Sequence, residues 1–433
     1  MSELALLGGP KTVTASAEDA FKPVSEAEIE AVVKEMRAGV ISIGNRSGIM
    51  EEFENRFAEL CGTKYALVGN SGTNCIHAAL VALGVGPGTE VIVPSYTWHA
   101  SITPILHCAA TPVFCDIRRD ILTPGAKEIE ACITERTVAV EVVHVWGNVA
   151  PMDEIMALAK ERGLKVLEDC SHAHGASLLG KSVGAWGDIG AFSCQGAKAV
   201  SGGELGVSVT DDPVLLDRMI LTGWFGRVVS GEGARTFDHL GDMSLGVKYR
   251  AHPYAVAMAN VRLQRLAHLN ECRRRNFGIL NDELRDAPHM QVIDPIAGAE
   301  RGGFLEYKFI LRDDLPEGVD RDRFCEAVKA EGAPLEPDRY SSFNYTYGLL
   351  HLAPMFNTFD RRTIGGCYYD PSRGDGSPEE RYQPGSLPVT EAVCTRIVGI
   401  NGFVDVSEEY ARQVARAIRK VADHVDDLVA TAK

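Results

Sequence analysis

From residue 64 onward, short apolar runs alternate with stretches of helical length, and this alternation limits the possible folds more than any other feature of the chain. Tyr65-Ala66-Leu67-Val68, Val91-Ile92-Val93, Pro112 to Asp116, Thr137 to Val145, Lys165-Val166-Leu167, Ile189 to Phe192 and Leu205 to Val209 read as strands. Cys75 to Leu83, His99 to His107 and Met152 to Glu161 read as helices between them. Apolar runs this short, bounded by turn residues, suit strands covered on both faces. Strands alternating with helices imply right-handed βαβ units. The expected fold class is therefore α/β, with a mostly parallel central sheet and helices on both faces. Such sheets bind ligands beyond the carboxyl ends of their strands.

A chain of 433 residues is too long for one core. The expected division is an N-terminal arm (1–24), a large α/β domain (25–255) and a smaller α+β C-terminal domain (256–433). Ser25-Glu26-Ala27-Glu28 has the capping-box form and opens a helix that Gly39 can stop. A second helix is expected from Ile49 to Leu60, and one long helix from Tyr254 to Phe277. Further helices are expected near Arg323 to Glu331 and from Glu408 to Leu428. Residues 340–386 are rich in Tyr, Gly, Pro and Arg, and a loop that long and that aromatic points to function.

Charge and cysteine usage exclude several classes. The net charge is −15, and Arg273-Arg274-Arg275 is the densest basic cluster, so nucleic acid is not the expected partner. Eleven cysteines without a CxxC pair make neither a zinc pattern nor a disulfide framework, and suit a reducing cytoplasm. The opening residues lack the basic start and apolar core of a signal peptide. No apolar run approaches the roughly 20 residues of a membrane span. No metal site is expected.

Four strand ends carry chemistry. Asn70-Ser71-Gly72-Thr73 lies between a strand and a helix, where free N–H groups and the helix dipole favour a phosphate; a plain helix cap is the simpler reading. Trp98 follows the next strand and could stack on a flat ring, or could be an ordinary core residue. Asp169 ends an apolar strand. A buried carboxylate needs a cation or several donors, which a protonated pyridine nitrogen or a helix terminus would supply. His172 lies three residues on. Lys198 stands in a small-residue loop 29 positions after Asp169, with Ser193 five residues before it and Gly202-Gly203 after it. A lone lysine of this kind is usually solvated. A Schiff-base lysine with an acid facing a pyridinium nitrogen is, however, what pyridoxal 5′-phosphate (PLP) chemistry requires.

These segments resemble the DegT/DnrJ/StrS sugar aminotransferases, PLP enzymes of fold type I. The resemblance rests on Ser71-Gly72-Thr73, Pro94-Ser95-Tyr96-Thr97-Trp98, Glu168 to Ala176, Phe192 to Lys198 with Gly202-Gly203-Glu204, and Gly246-Val247-Lys248-Tyr249-Arg250. Gly385 to Val389 is similar to the family's C-terminal domain. The resemblance implies that Lys198 holds the cofactor and carries the proton. Asp169 would face the pyridine nitrogen, His172 the ring hydroxyl and Trp98 the ring plane. Gly72, Thr73 and Ser193 would bind the phosphate. It further implies a homodimer with shared active sites.

Two positions depart from the family pattern. Lys248 stands where relatives usually have an asparagine that reaches the neighbouring subunit's phosphate. Leu205 replaces a glycine of the Gly-Gly-Glu-Gly-Gly motif. The implied reaction moves an amino group from glutamate or glutamine to a keto sugar or keto cyclitol, in aminosugar or aminocyclitol biosynthesis. Leu4 to Gly9 is similar to the cyclitol and aminoglycoside branch. A PLP-dependent dehydratase or an aminohydroxybenzoate-type synthase shares the scaffold, although the family's sugar dehydratases carry histidine in place of the lysine. A non-catalytic PLP-binding regulator is the reading from another class; the acidic chain offers no DNA-binding arm for it.

Overall fold

A computed structural model describes residues 2–17, 24–241, 243–342, 349–357, 382–401, 403–404 and 406–431. The first nine strands are β1 (Tyr65–Gly69), β2 (Glu90–Pro94), β3 (Thr111–Cys115), β4 (Thr137–Val143), β5 (Lys165–Asp169), β6 (Ser177–Leu178), β7 (Lys181–Ser182), β8 (Ile189–Ser193) and β9 (Gly206–Thr210). Seven of them form one sheet in the order β1-β9-β8-β5-β4-β2-β3. Strands β3, β2, β4, β5 and β8 run parallel. Only β9 opposes its neighbours, β8 and β1. The mostly parallel α/β sheet expected from the alternation is therefore present.

The strands are apolar on both faces because both faces are covered. Val91, Val93, Ala139 and Leu167 pack into a core with Ala78 and Ala79 of the helix Gly72–Ala82 and Met219 of the helix Pro213–Gly223. Ile92, Val140, Val142 and Val166 face a second core built on Phe53, Phe57 and Ile155. Phe57 meets Phe192 edge-on, with ring centres 4.9 Å apart. Truncating either ring costs about 3–5 kcal/mol.

A second sheet contains β10 (Met290–Val292), β12 (Glu306–Leu311), β13 (Glu336–Pro337) and β14 (Ile397–Asn401), in the order β10-β12-β14-β13. Another strand, β11 (Ala299–Glu300), extends the β6–β7 hairpin. The helix Glu408–Asp423 lays a stripe of Val414, Ile418 and Val421 on a third core, which this second sheet shares. The long helix Pro253–Leu284 joins this core to the one built on Phe53 and Phe57: Val256, Ala259 and Leu266 belong to the latter, and Phe277, Leu280 and Leu284 to the former. The boundary expected at residue 255 thus falls inside a continuous helix. The N-terminal segment packs on the second sheet, with Leu4 fully buried there.

Some expected elements change length. The long helix runs on to Leu284, and the closing helix stops at Asp423, followed by a 3-10 turn. The stretch expected as a helix from His99 to His107 is a 3-10 turn (His99–Ser101) and a short helix (Thr103–His107) with Pro104 near its start. Strand β4 ends at Val143, two residues early. There Trp146 (φ 56°) and Gly147 (φ 82°) turn the chain left-handed, and a Cβ on Gly147 would lie 2.7 Å from the Gly302 carbonyl oxygen. Of the aromatic region 340–386, Leu350, Phe356 and Tyr382 pack near Phe114; residues 343–348 and 358–381 lie outside the described residues. No described helix is long and apolar enough to cross a membrane.

Candidate active site

The carboxyl ends of β1, β2, β4, β5 and β8 and the opposed start of β9 surround one cavity of about 370 Å³. Leu305, just before β12, and Arg339 and Tyr340, just after β13, close it.

At the β1 end, Ser71 caps the helix Gly72–Ala82 by accepting the Asn74 N–H at 3.1 Å. The simple cap reading is correct for Ser71. It leaves the N–H groups of the first turn, at Gly72 and Thr73, without helical partners. A Cβ on Gly72 would lie 2.6 Å from the Ser193 Cβ, and one on Gly206 would lie 2.4 Å from the Ser71 backbone. Glycine at both positions lets the turn pack directly on the ends of β8 and β9. Gly72, Thr73 and Ser193 therefore line one end of the cavity together.

Asp169 is 5 % exposed. Its Oδ2 accepts the Ser101 hydroxyl at 2.8 Å, and its Oδ1 accepts the Ser171 N–H at 3.0 Å. Thr97 Oγ1 lies 3.0 Å from Ser101 Oγ and extends the chain. Ser101 was not anticipated from sequence. Its spacing of four from Thr97, just past a strand end, was the available signal.

Lys198 opens into the same cavity and is held near a pKa of about 8. Burial is the main cause, the Arg339 guanidinium adds to it, and the Asp169 carboxylate works against both. An amine held there is partly neutral near pH 8 and so is a competent nucleophile.

His172 lines the cavity, but both its ring nitrogens are engaged. Nδ1 accepts the Trp146 N–H at 3.2 Å, and Nε2 lies 3.1 Å from the Tyr340 hydroxyl. Burial and the surrounding cations hold the ring well below the usual histidine range, so it is neutral. With Nδ1 accepting, Nε2 carries the hydrogen and donates it to Tyr340. His172 and Tyr340 thus form one unit, stacked around Trp146. Trp98 lines the cavity half-buried, its ring centre 6.0 Å from that of Tyr340.

Seven of the eight residues singled out from sequence meet in this cavity. The eighth, Lys248, is exposed and outside it. Its carbonyl takes the Asn70 side-chain N–H at 3.2 Å, so its segment runs along the outside of the Gly72 turn. Leu205, the departure from the glycine-rich motif, is fully buried and forms part of the cavity wall.

Two buried acids beside the site have structural or electrostatic explanations. His144, Glu168 and Cys170 lie close enough to suggest a metal. However, Glu168 already accepts the Gly184 and Gly187 N–H groups and faces His144 Nε2 at 3.1 Å, while His144 Nδ1 takes the Ala150 N–H. Glu168, backed by His144, pins the turn before β8. Glu141 on β4 is fully buried with neither oxygen bonded among the described residues, and burial together with the nearby Asp169 pushes its carboxyl far up, into the neutral form.

The cavity fits PLP. It offers neutral phosphate donors at a glycine-lined turn, a buried acid held by two donors, a flanking indole and a lysine of depressed pKa. Comparison with known proteins agrees. Residues 23–358 match the model of the DegT/DnrJ/EryC1/StrS aminotransferase family. GDP-perosamine synthase of Caulobacter vibrioides is 34 % identical over 322 residues, covering 74 % of this chain and 82 % of that protein. L-glutamine:2-deoxy-scyllo-inosose aminotransferase of Streptomyces lividus is 31 % identical over 420 residues, covering 93 % of each. The solved structure of S. venezuelae DesV in complex with a ketimine intermediate superposes with a TM-score of 0.75 at 26 % identity, covering 92 % of this chain and 94 % of that one. The chain belongs to the DegT/DnrJ/EryC1/StrS aminotransferase family, and it is a PLP-dependent aminotransferase.

Proposed function

We propose that the enzyme moves an amino group from glutamine or glutamate to the keto carbon of a sugar or cyclitol. The observation that carries this reading is Lys198 opening, with a depressed pKa, into the same cavity as Asp169. Bound PLP supplies an aldehyde that condenses with amines and a ring that takes up the electron pair of a broken C–H bond. The chain does the rest. Asp169, fixed by Ser101 and Ser171, would hold the pyridine nitrogen. Gly72, Thr73 and Ser193 would bind the phosphate, and Trp98 would flank the ring. Lys198 would hold the cofactor and carry the proton to and from the donor α-carbon. Lysine rather than histidine at 198 supports transamination over sugar dehydration. The relative that acts on a keto cyclitol matches along almost the whole chain, which supports a cyclic polyol as acceptor.

The same reading includes a cytoplasmic homodimer. The described cysteines are all unpaired, as a reducing compartment requires. Ile41, Phe225, Val229, Leu245 and Val247 expose apolar side chains beside Lys248 or on segments that meet at Gly44 and Gly226. A second copy would cover them. The test is to add glutamine or glutamate to the purified holoenzyme. The visible band should disappear with release of the matching 2-oxo acid, and adding a keto cyclitol such as 2-deoxy-scyllo-inosose should restore it. A band that persists with both amino acids sinks the reading.

A further inference from the structure

Lys308 lies 4 % exposed between two carboxylates, 2.5 Å from Glu306 Oε2 and 2.7 Å from Asp338 Oδ1. Its ammonium sits 4.2 Å from the centre of the Trp146 ring. Asp338 also accepts the Tyr96 hydroxyl at 3.0 Å and the Ser341 N–H at 2.9 Å. Two acids against one ammonium leave one negative charge over. Arg339 balances it, with Nη2 against Glu306 and 3.3 Å from Asn401 Oδ1. Buried charges are costly unless paired, so an arrangement of four invites the question of what it positions.

It positions Arg339. The side chains of Glu306, Lys308 and Asp338 are 7 %, 2 % and 0 % exposed, while that of Arg339 is 39 % exposed and lines the cavity next to Tyr340. Its Nε and Nη1 have no hydrogen-bond partner among the described residues. A guanidinium anchored through Nη2 still carries its full positive charge and keeps Nη1 and Nε as separate donors, which suits the oxygens of a carboxylate. The phosphate donors at Gly72, Thr73 and Ser193 come from β1 and β8, whereas Arg339 comes from beyond β13. Lys198 and His172 both feel its charge, which puts it within electrostatic range of the reacting amine.

We infer that Arg339, preset by the Glu306–Lys308–Asp338 cluster, binds the α-carboxylate of the amino donor. This rests on the aminotransferase reading and adds to it the residue that selects amino acids over other amines. The test uses holoenzyme carrying Arg339→Gln, Arg339→Lys or Lys308→Met. Three ligands are compared: glutamate and glutamine through the rate of loss of the visible band, 2-oxoglutarate by calorimetry, and n-butylamine, which lacks a carboxylate, by its change of the cofactor spectrum. Arg339→Gln should weaken glutamate, glutamine and 2-oxoglutarate by roughly 10- to 100-fold and leave n-butylamine within twofold of the parent. Arg339→Lys should recover part of the loss, and Lys308→Met should weaken the same three ligands. Unchanged carboxylate binding in Arg339→Gln overturns the inference. An equal loss of n-butylamine also overturns it, because the effect would then be structural. Should the parent fail to react with either amino acid, the aminotransferase reading fails, while the 2-oxoglutarate arm still decides the role of Arg339.

Discussion

Ser101 donates its hydroxyl hydrogen to Asp169 Oδ2 across 2.8 Å, while the Ser171 N–H is donated to the other oxygen, Oδ1, at 3.0 Å. The acid is therefore fixed by two donors. Ser101→Ala removes one of the two. We expect cofactor to remain bound and kcat/KM to fall about tenfold. An unchanged kcat/KM would mean that Ser101 only fills space.

Asp169→Asn keeps the shape and removes the charge. Cofactor should still bind, and turnover should fall by several orders of magnitude, because a neutral pyridine is a poor electron sink. Absorbance gives occupancy and single-turnover kinetics give the loss. Activity near that of the parent would reduce Asp169 to a turn residue.

Much of this site was legible in the sequence because it follows strand-end logic. Gly72, Asp169, Ser193 and Lys198 each lie at or just beyond the carboxyl end of a parallel strand, and the apolar runs reveal those ends. What contacts reach across the chain could not be read. Arg339 and Tyr340 enter from 140 or more residues beyond Lys198, and a local pattern carries no sign of that. His172 was visible, but its pairing with the Tyr340 hydroxyl was not. The split of the 99–107 helix follows from Pro104, which cannot continue the hydrogen bonding of a preceding turn.

Lys198 should be the residue labelled when borohydride reduces the holoenzyme, as read by peptide mapping. Its pKa of about 8 also has a kinetic consequence. Only the neutral amine attacks the aldehyde, so the rate at which apoenzyme takes up PLP should rise with pH through about 8 and level off above it. Arg339→Gln removes a neighbouring cation and should shift this midpoint upward. A label on another lysine, or a flat rate between pH 6.5 and 9.5, contradicts the assignment.

Glu331 ties the N-terminal segment to the second sheet. Its carboxylate accepts the Ala5 N–H at 2.7 Å and the Thr12 hydroxyl at 2.7 Å, and meets Lys420 at 3.0 Å. Burial opposes ionisation, but these donors and Lys420 outweigh it and hold the carboxyl below its ordinary value. A depressed folded-state pKa stabilises above the unfolded pKa of about 4.3 and is lost as pH falls through the folded value. Glu331→Gln should therefore cost about 1–3 kcal/mol at pH 7, with a lower melting temperature, and the gap should narrow as pH falls below 4. A pH-independent gap would point to packing instead of charge.

Lys248 tests the shared site. It is exposed, lies outside its own chain's cavity and sits in a segment that runs along the Gly72 turn, next to exposed Leu245 and Val247. The family resemblance implies that the residue at this position reaches the partner's phosphate. A charge-assisted bond there should make Lys248→Ala lose cofactor on dialysis roughly ten times faster than the parent. Mixing this variant with Lys198→Ala gives a sharper test. A mixed dimer with exchanged residues has one site carrying both substitutions and one carrying neither, so activity should exceed that of either variant alone. Equal cofactor retention, or no recovery in subunit mixtures shown by native mass spectrometry to have exchanged, would place Lys248 on an ordinary solvated surface.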